Sequence, residues 1–87
     1  MIELKLDASN AATRSELHDL FAQMLSFPDW YGRNLDALHD CMTSLNEDVN
    51  ITVDEDELTG TLGERYVRIL LRLLRDCAEE NPHITFG

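Results

Sequence analysis

The sequence predicts an α/β fold, a small three-stranded parallel sheet packed by three or four helices in the order β-α-α-β-(α)-α-β. Three observations predict it. Ile2–Leu6 and Val49–Val53 alternate apolar with polar residues, the period of a strand with one buried face, and Ile84–Phe86 closes the chain as a short third strand. Helical periodicity fills both intervals between these segments, and strands joined through helices pair in parallel with right-handed crossovers. At 87 residues, with 44% hydrophobic and 28% charged side chains, the chain is expected to form one domain, residues 1–87, with a modest core.

Each element has its own warrant. After the first strand, Thr13 and Glu16 form a capping box ahead of a helix over residues 14–25, with Leu17, Leu20, Phe21, Met24 and Leu25 as its apolar stripe. His18 lies off the centre of that stripe and is expected at the surface, partly exposed, with no chemical role. Pro28 and Gly32 make residues 27–33 a loop, Gly32 being the residue there free to adopt positive φ. Asn34 then stands at the N-cap of a second helix, whose Leu35, Leu38, Met42 and Leu45 share one arc while Asp36, Asp40 and Thr43 share the opposite one. Asp54 to Glu57 reads as a solvated strand-to-helix connection, because it lacks the ligand alternation, turn glycine and distant Glu of a calcium loop. Thr61 and Glu64 form a second capping box and open the longest helix, which Pro82 ends. Its apolar arc of Leu62, Tyr66, Ile69, Leu70, Leu73, Leu74 and Cys77 makes it the expected packing partner of the sheet, with Arg68, Arg72 and Arg75 toward solvent.

Composition narrows the function. No apolar run approaches the ~20 residues that cross a bilayer, and no basic, then apolar leader opens the chain, so a cytoplasmic location is expected. Cys41 and Cys77 have neither CxxC spacing nor a His pair and read as free thiols. The net charge is −10, and it is uneven: residues 1–64 carry three basic and fourteen acidic side chains, residues 65–87 four and three. Such a field repels nucleic acid and anionic membrane and attracts a basic partner.

Residues 27–40 hold the richest chemistry. Trp30 and Tyr31 offer rigid apolar contact area, and two carboxylates, Asp36 and Asp40, follow one helical turn apart. Of the two adjacent aromatics, one is expected to point inward and hold the loop down. Acid/base catalysis by His39 between the two acids needs a water-excluding cleft and a nucleophile that the sequence does not supply. A metal site on Asp36, His39 and Asp40 needs neighbours on a helix to converge, although they point ~100° apart. No catalytic residue, metal or cofactor is assigned. Recognition of a basic protein uses what is present.

This stretch, read as Pro-acid-aromatic-Tyr-Gly-x-Asn-Leu-Asp-Ala-Leu-x-Asp, resembles the barstar family, the intracellular inhibitors of the secreted ribonuclease barnase. The spacing through Leu62, Arg75-Asp76 and Ile84-Thr85 also follows that family, so the likeness spans essentially the whole chain. The resemblance implies a barstar-like fold and a 1:1 complex with a basic ribonuclease, whose active site is blocked by acids standing in for RNA phosphate. It implies Asp40 as the central phosphate mimic, Asp36 as a second charged contact, and Trp30 as the aromatic covering a catalytic residue. Gly32, Asn34 and Leu35 would shape the loop and its backbone contacts, and Asp76 with Glu80 would be outlying acids. Tyr31, Arg33, His39 and Thr43 complete the expected partner-binding set.

Three positions depart from barstar: His39 replaces an indole, Asp76 a longer Glu, and Arg33 puts a cation in a loop that is acidic there. Such changes can act as repulsive elements that alter the choice of nuclease. Two other readings use the same residues, a binding module for a different basic protein such as a nuclease toxin domain, and a small hydrolase working through His39.

Overall fold

A computed structural model describes residues 1–86. The predicted strands form at their expected positions, β1 (Ile2–Leu6), β2 (Val49–Val53) and β3 (Ile84–Phe86), and pair in parallel in the order β1-β2-β3. The register sets Leu4 beside Ile51 and Val49 beside Ile84, so Leu4, Leu6, Val49, Ile51 and Ile84 lie on one buried face. Glu3, Lys5, Thr52 and Thr85 point to the other face and are exposed. Both crossovers step across the sheet in the same direction, so right-handed connections place their helices on the same side. The alternation along each strand thus reports one covered and one solvated face.

Four helices follow the predicted order, α1 (Arg14–Met24), α2 (Leu35–Thr43), α3 (Glu55–Leu62) and α4 (Glu64–Glu80). In α4 Val67, Leu70, Leu74 and Cys77 are buried, and each of the three aliphatic side chains contributes about 1.5–3 kcal/mol relative to exposure. Ile69, assigned to the apolar arc by periodicity, is exposed. Asn81 ends α4 and is itself buried. Its Nδ2 donates to the carbonyls of Met42 and Leu45, each at 3.0 Å, and its Oδ1 accepts from His83 N at 2.9 Å. One amide thus binds a carbonyl in the last turn of α2 and one just beyond that helix, and fixes this end of α2 against the start of β3.

Three local readings are corrected. Asp54 to Glu57 is not a connection: Asp54 caps α3, its carboxylate accepting from Glu57 N at 3.2 Å, and Glu55, Asp56 and Glu57 occupy the first turn, where carboxylates favour the helix dipole. Thr61 is not a cap. It lies inside α3 and its hydroxyl donates to Ala11 O at 3.0 Å, while α3 and α4 are separated by Gly63 at φ 90°. A side chain would strain that backbone, so the break rests on glycine. In α1 the buried residues are Leu17, His18 and Phe21, with Leu25 buried at its C-cap, which turns the inward face by roughly 40° from the predicted stripe, leaving Met24 exposed.

Candidate functional site

The face that the sequence singles out is built by the connection between α1 and α2, by α2 itself and by the end of α4. The connection enters through Leu25, whose N–H still bonds Phe21 O, and Ser26 at φ 55°. Phe27 N donates to Ala22 O and Tyr31 N to Pro28 O, both at 3.0 Å, which folds the segment back toward α1. Gly32 does not take positive φ. The left-handed positions are Ser26 and Arg33, and Gly32 serves close approach instead, since a Cβ there would lie 3.2 Å from Asn34 Nδ2 and 3.3 Å from the Ala37 Cβ.

The two aromatics divide as adjacent residues on an extended chain do. Trp30 is 81% exposed and Tyr31 only 6%. The Tyr31 ring packs on Phe27 with centroids 4.9 Å apart, and its hydroxyl bonds His18 Nδ1 at 2.6 Å. The other imidazole nitrogen, Nε2, meets Tyr66 OH at 3.2 Å. His18, expected at the surface, is therefore only 3% exposed and joins α1, the loop and α4 through one ring. Burial first, and then the Arg33 charge, push its pKa below the ordinary value, so the neutral ring, donor at one nitrogen and acceptor at the other, suits two hydroxyl partners. Burial likewise raises the Tyr31 and Tyr66 phenols. No periodicity reveals such a histidine, whose partners lie 13 and 48 residues away.

Asn34 caps α2 as predicted. Its Oδ1 accepts from Ala37 N at 2.8 Å and its Nδ2 donates to Gly32 O at 3.2 Å, so the cap and the loop constrain one another. Leu38 and Met42 anchor the helix in the core, Leu35 is half-buried, and Asp36 and Asp40 point outward. The Asp40 side chain is 88% exposed. Thr43 turns its hydroxyl back onto its own helix, within 3.0 Å of His39 O and 3.1 Å of Asp40 O.

His39 lies between α2 and α4. Its Nε2 donates to Glu80 Oε2 at 2.9 Å, while its Nδ1 stays 4.0 Å from Asp40. Through this contact the acids of α2 and those of α4, Glu80 and Asp76 one turn before it, become neighbours. Their field reaches the core: burial pushes the Cys77 thiol up to about 12, with Glu80 and Asp76 adding to the shift, and burial with Asp40 raises Cys41. The His39 ring faces two carboxylates, Glu80 and Asp40, and among the described residues no group of three or more His, Cys, Asp or Glu side chains is placed to hold a metal ion.

Arg33, the cation of the loop, does not join this face. Its guanidinium pairs with Asp19 and donates to Ser15 O at 3.0 Å and Ser15 Oγ at 2.9 Å, both on α1. The structure therefore brings together Trp30, Asp36, His39, Asp40 and Glu80, with Asp76 beside them. It turns Tyr31 inward and Arg33 sideways. Between the loop and α2 an apolar cleft of about 440 Å³ opens, lined by Phe27, Pro28, Trp30 and Leu45, with Asp40 as its charged residue. What this arrangement can do chemically is present carboxylates beside an aromatic on a fixed frame, which is a means of binding a cationic surface.

Two comparisons with known proteins bear on the whole chain. The sequence model of the family described as Barstar (barnase inhibitor) matches residues 1–86. The chain is also similar to "Putative ribonuclease inhibitor YrdF" of Bacillus subtilis (strain 168), with 32% identity over 81 residues, covering 92% of this chain and 89% of that protein. Among the described residues no helix is long and apolar enough to cross a membrane.

Proposed function

This chain belongs to the barstar family, and on that premise we propose that it is an inhibitor of a basic ribonuclease, not an enzyme. In this reading residues 1–87 act as one domain in the cytoplasm, bind the nuclease 1:1 and need no cofactor. Asp40 takes the place of RNA phosphate among the nuclease's basic groups, Asp36 gives a second charged contact, and Asp76 and Glu80 extend the acidic face. Trp30 covers a catalytic residue of the nuclease, and His39 sits between the acids as a further contact, its Nε2 held by Glu80. Gly32, Asn34, Leu35 and Thr43 set the backbone that presents them, and Tyr31 anchors it from below.

The observation that carries the reading is the exposed row of carboxylates on α2 and the end of α4, flanked by an exposed Trp30, with the loop's cation paired to another helix. Charged groups held in advance on a rigid frame need little reordering when a basic surface arrives, and their field speeds encounter at low salt. The test is inhibition of RNA cleavage by barnase and a panel of other basic ribonucleases, titrated with the wild-type protein and Asp40→Ala at two salt concentrations. Tight, salt-sensitive 1:1 inhibition by the wild type and a large loss in the variant are expected. Equal inhibition by both proteins, or inhibition of no nuclease in the panel, removes the reading. A pull-down with immobilised protein at low salt, controlled by Asp40→Ala, then identifies whether another basic protein fills the face.

A further inference from the structure

We propose, on the inhibitor reading above, that Arg33 is a positioning residue: its guanidinium holds the Trp30 loop on α1 and does not present its charge to the partner. Position alone suggests the opposite. A cation inside a loop that meets a basic protein is a repulsive element, and replacing it with a neutral residue would then strengthen binding.

The geometry points elsewhere. Arg33 adopts φ 55°, a conformation uncommon for a side chain of this size and one in which a glycine would rest at lower cost. From that backbone the side chain reaches α1, where one amino group pairs with Asp19 and the other donates to both oxygens of Ser15. Arginine suits this place because its planar fork serves two acceptors at once, which the point charge of a lysine does not.

The receiving surface is equally specific. Ser15, His18 and Asp19 stand at i, i+3 and i+4 on α1 and so form one seam along that helix. His18 takes the Tyr31 hydroxyl, and Ser15 with Asp19 takes Arg33. Two loop residues thus dock on consecutive parts of the same seam, Tyr31 immediately after Trp30 and Arg33 two residues further on. Trp30 and Asp29 are exposed. On its N-terminal side the chain is tied to α1 at Phe27, whose N–H donates to Ala22 O, and on its C-terminal side at Tyr31 and Arg33. Of these last two ties one is buried and neutral, the other exposed and ionic, and the second is the one that closes the loop just before the Asn34 cap.

The consequence for binding has a definite sign. Arg33→Gln makes the net charge more negative by one from −10, so long-range attraction to a basic nuclease rises slightly. If the side chain is a tie, affinity falls all the same, because the ordering of Trp30 must then be supplied during binding. Association and dissociation rates move in different ways: the first stays level or rises, the second rises by about tenfold, as for the loss of one coupled contact.

The experiment compares wild type, Arg33→Gln, Arg33→Lys, Asp19→Asn and the double variant Arg33→Gln/Asp19→Asn. In the free proteins, exchange of the Tyr31 amide and fluorescence anisotropy of Trp30, the only tryptophan, report the order of the loop. With barnase, surface-bound kinetics report the two rates. Expected are faster Tyr31 exchange and lower Trp30 anisotropy in Arg33→Gln and in Asp19→Asn, the double variant no worse than the weaker single one, and partial rescue in Arg33→Lys, which keeps the Asp19 pair and loses the fork. Faster dissociation from barnase accompanies them. Wild-type loop order in Arg33→Gln, or tighter binding by it, overturns the proposal. If the wild type does not bind barnase, the inhibitor reading for that enzyme fails by itself, and the Tyr31 and Trp30 signals of the free proteins still decide whether Arg33 positions the loop.

Discussion

Two connections in this chain join consecutive helices, and they are made in opposite ways. Between α3 and α4 stands one residue, Gly63, at φ 90°. Between α1 and α2 run ten residues that include two non-glycine left-handed positions, Ser26 and Arg33, a phenol bonded to the buried His18 imidazole of α1, a second tie to α1 through an ion pair, and a tryptophan left 81% exposed. Where the chain only has to turn, a glycine suffices because it carries no Cβ to strain. Where it displays side chains, the backbone takes strained positions and the surrounding contacts hold them there. Irregular, locally costly structure of this kind is where functional groups concentrate.

The contrast can be broken by substitution, since a change in the display region is expected to alter binding and a change at the plain turn to alter stability. The largest effect is on binding: Asp40→Ala weakens the nuclease complex by at least about thirtyfold, the lower end of the cost of removing one member of a desolvated charge pair. Its melting temperature stays close to wild type, because the side chain is 88% exposed in the free protein. Isothermal calorimetry and a thermal melt on the same samples check both halves. Gly63→Ala is expected to do the reverse. It costs about 1–3 kcal/mol of folding stability from backbone strain, visible as a lower midpoint in urea, and leaves nuclease affinity at the wild-type value.

Smaller effects sharpen the comparison inside the loop. Trp30→Ala is expected to reduce affinity by about tenfold, as for a single aromatic contact at a binding face, with unfolding stability within about 0.5 kcal/mol. Tyr31→Phe is expected to show the complementary pattern, about 1 kcal/mol less stable through the lost hydroxyl bond to His18, and affected in binding only as far as the loop loosens. Equal profiles for the two aromatics would remove the division between an outward contact and an inward anchor.

The pH dependence of stability comes last. The His18 pKa is lower in the folded protein than its ordinary value of 6.5, so below that pH the unfolded chain binds a proton that the folded one does not. Stability then falls as pH drops from about 6.5 toward the folded-state pKa. His18→Asn is expected to flatten that segment of the profile, measured by urea midpoints between pH 7 and pH 5. An unchanged slope would assign it to other groups.

Local chemistry was legible in advance wherever a residue's partner lies within a few positions. The alternation of Ile2–Leu6 and Val49–Val53, the Thr13 and Asn34 caps, and the outward Asp36 and Asp40 all follow from short-range geometry. Competing local signals misled. Thr61 and Glu64 have capping-box spacing, yet Gly63 sets the boundary because a residue at φ 90° interrupts the helix whatever the box offers. Gly32 in a loop suggests positive φ, yet the need there is space beside Asn34 and Ala37.

The sequence by itself determined the order of the strands and of every helix but α3, the acidic charge and the side of α2 on which the two acids stand, since these depend on periods of two and 3.6 residues and on side-chain identity. The tertiary structure alone decided the fates of His18, Arg33, His39 and Asn81. Their partners are 13 to 48 residues distant or on another helix, and a hydrogen bond forms only where packing brings donor and acceptor within about 3 Å. Packing also turned Tyr31 inward and Trp30 outward, because only one of two adjacent side chains can enter the core beside Phe27 while its neighbour meets solvent.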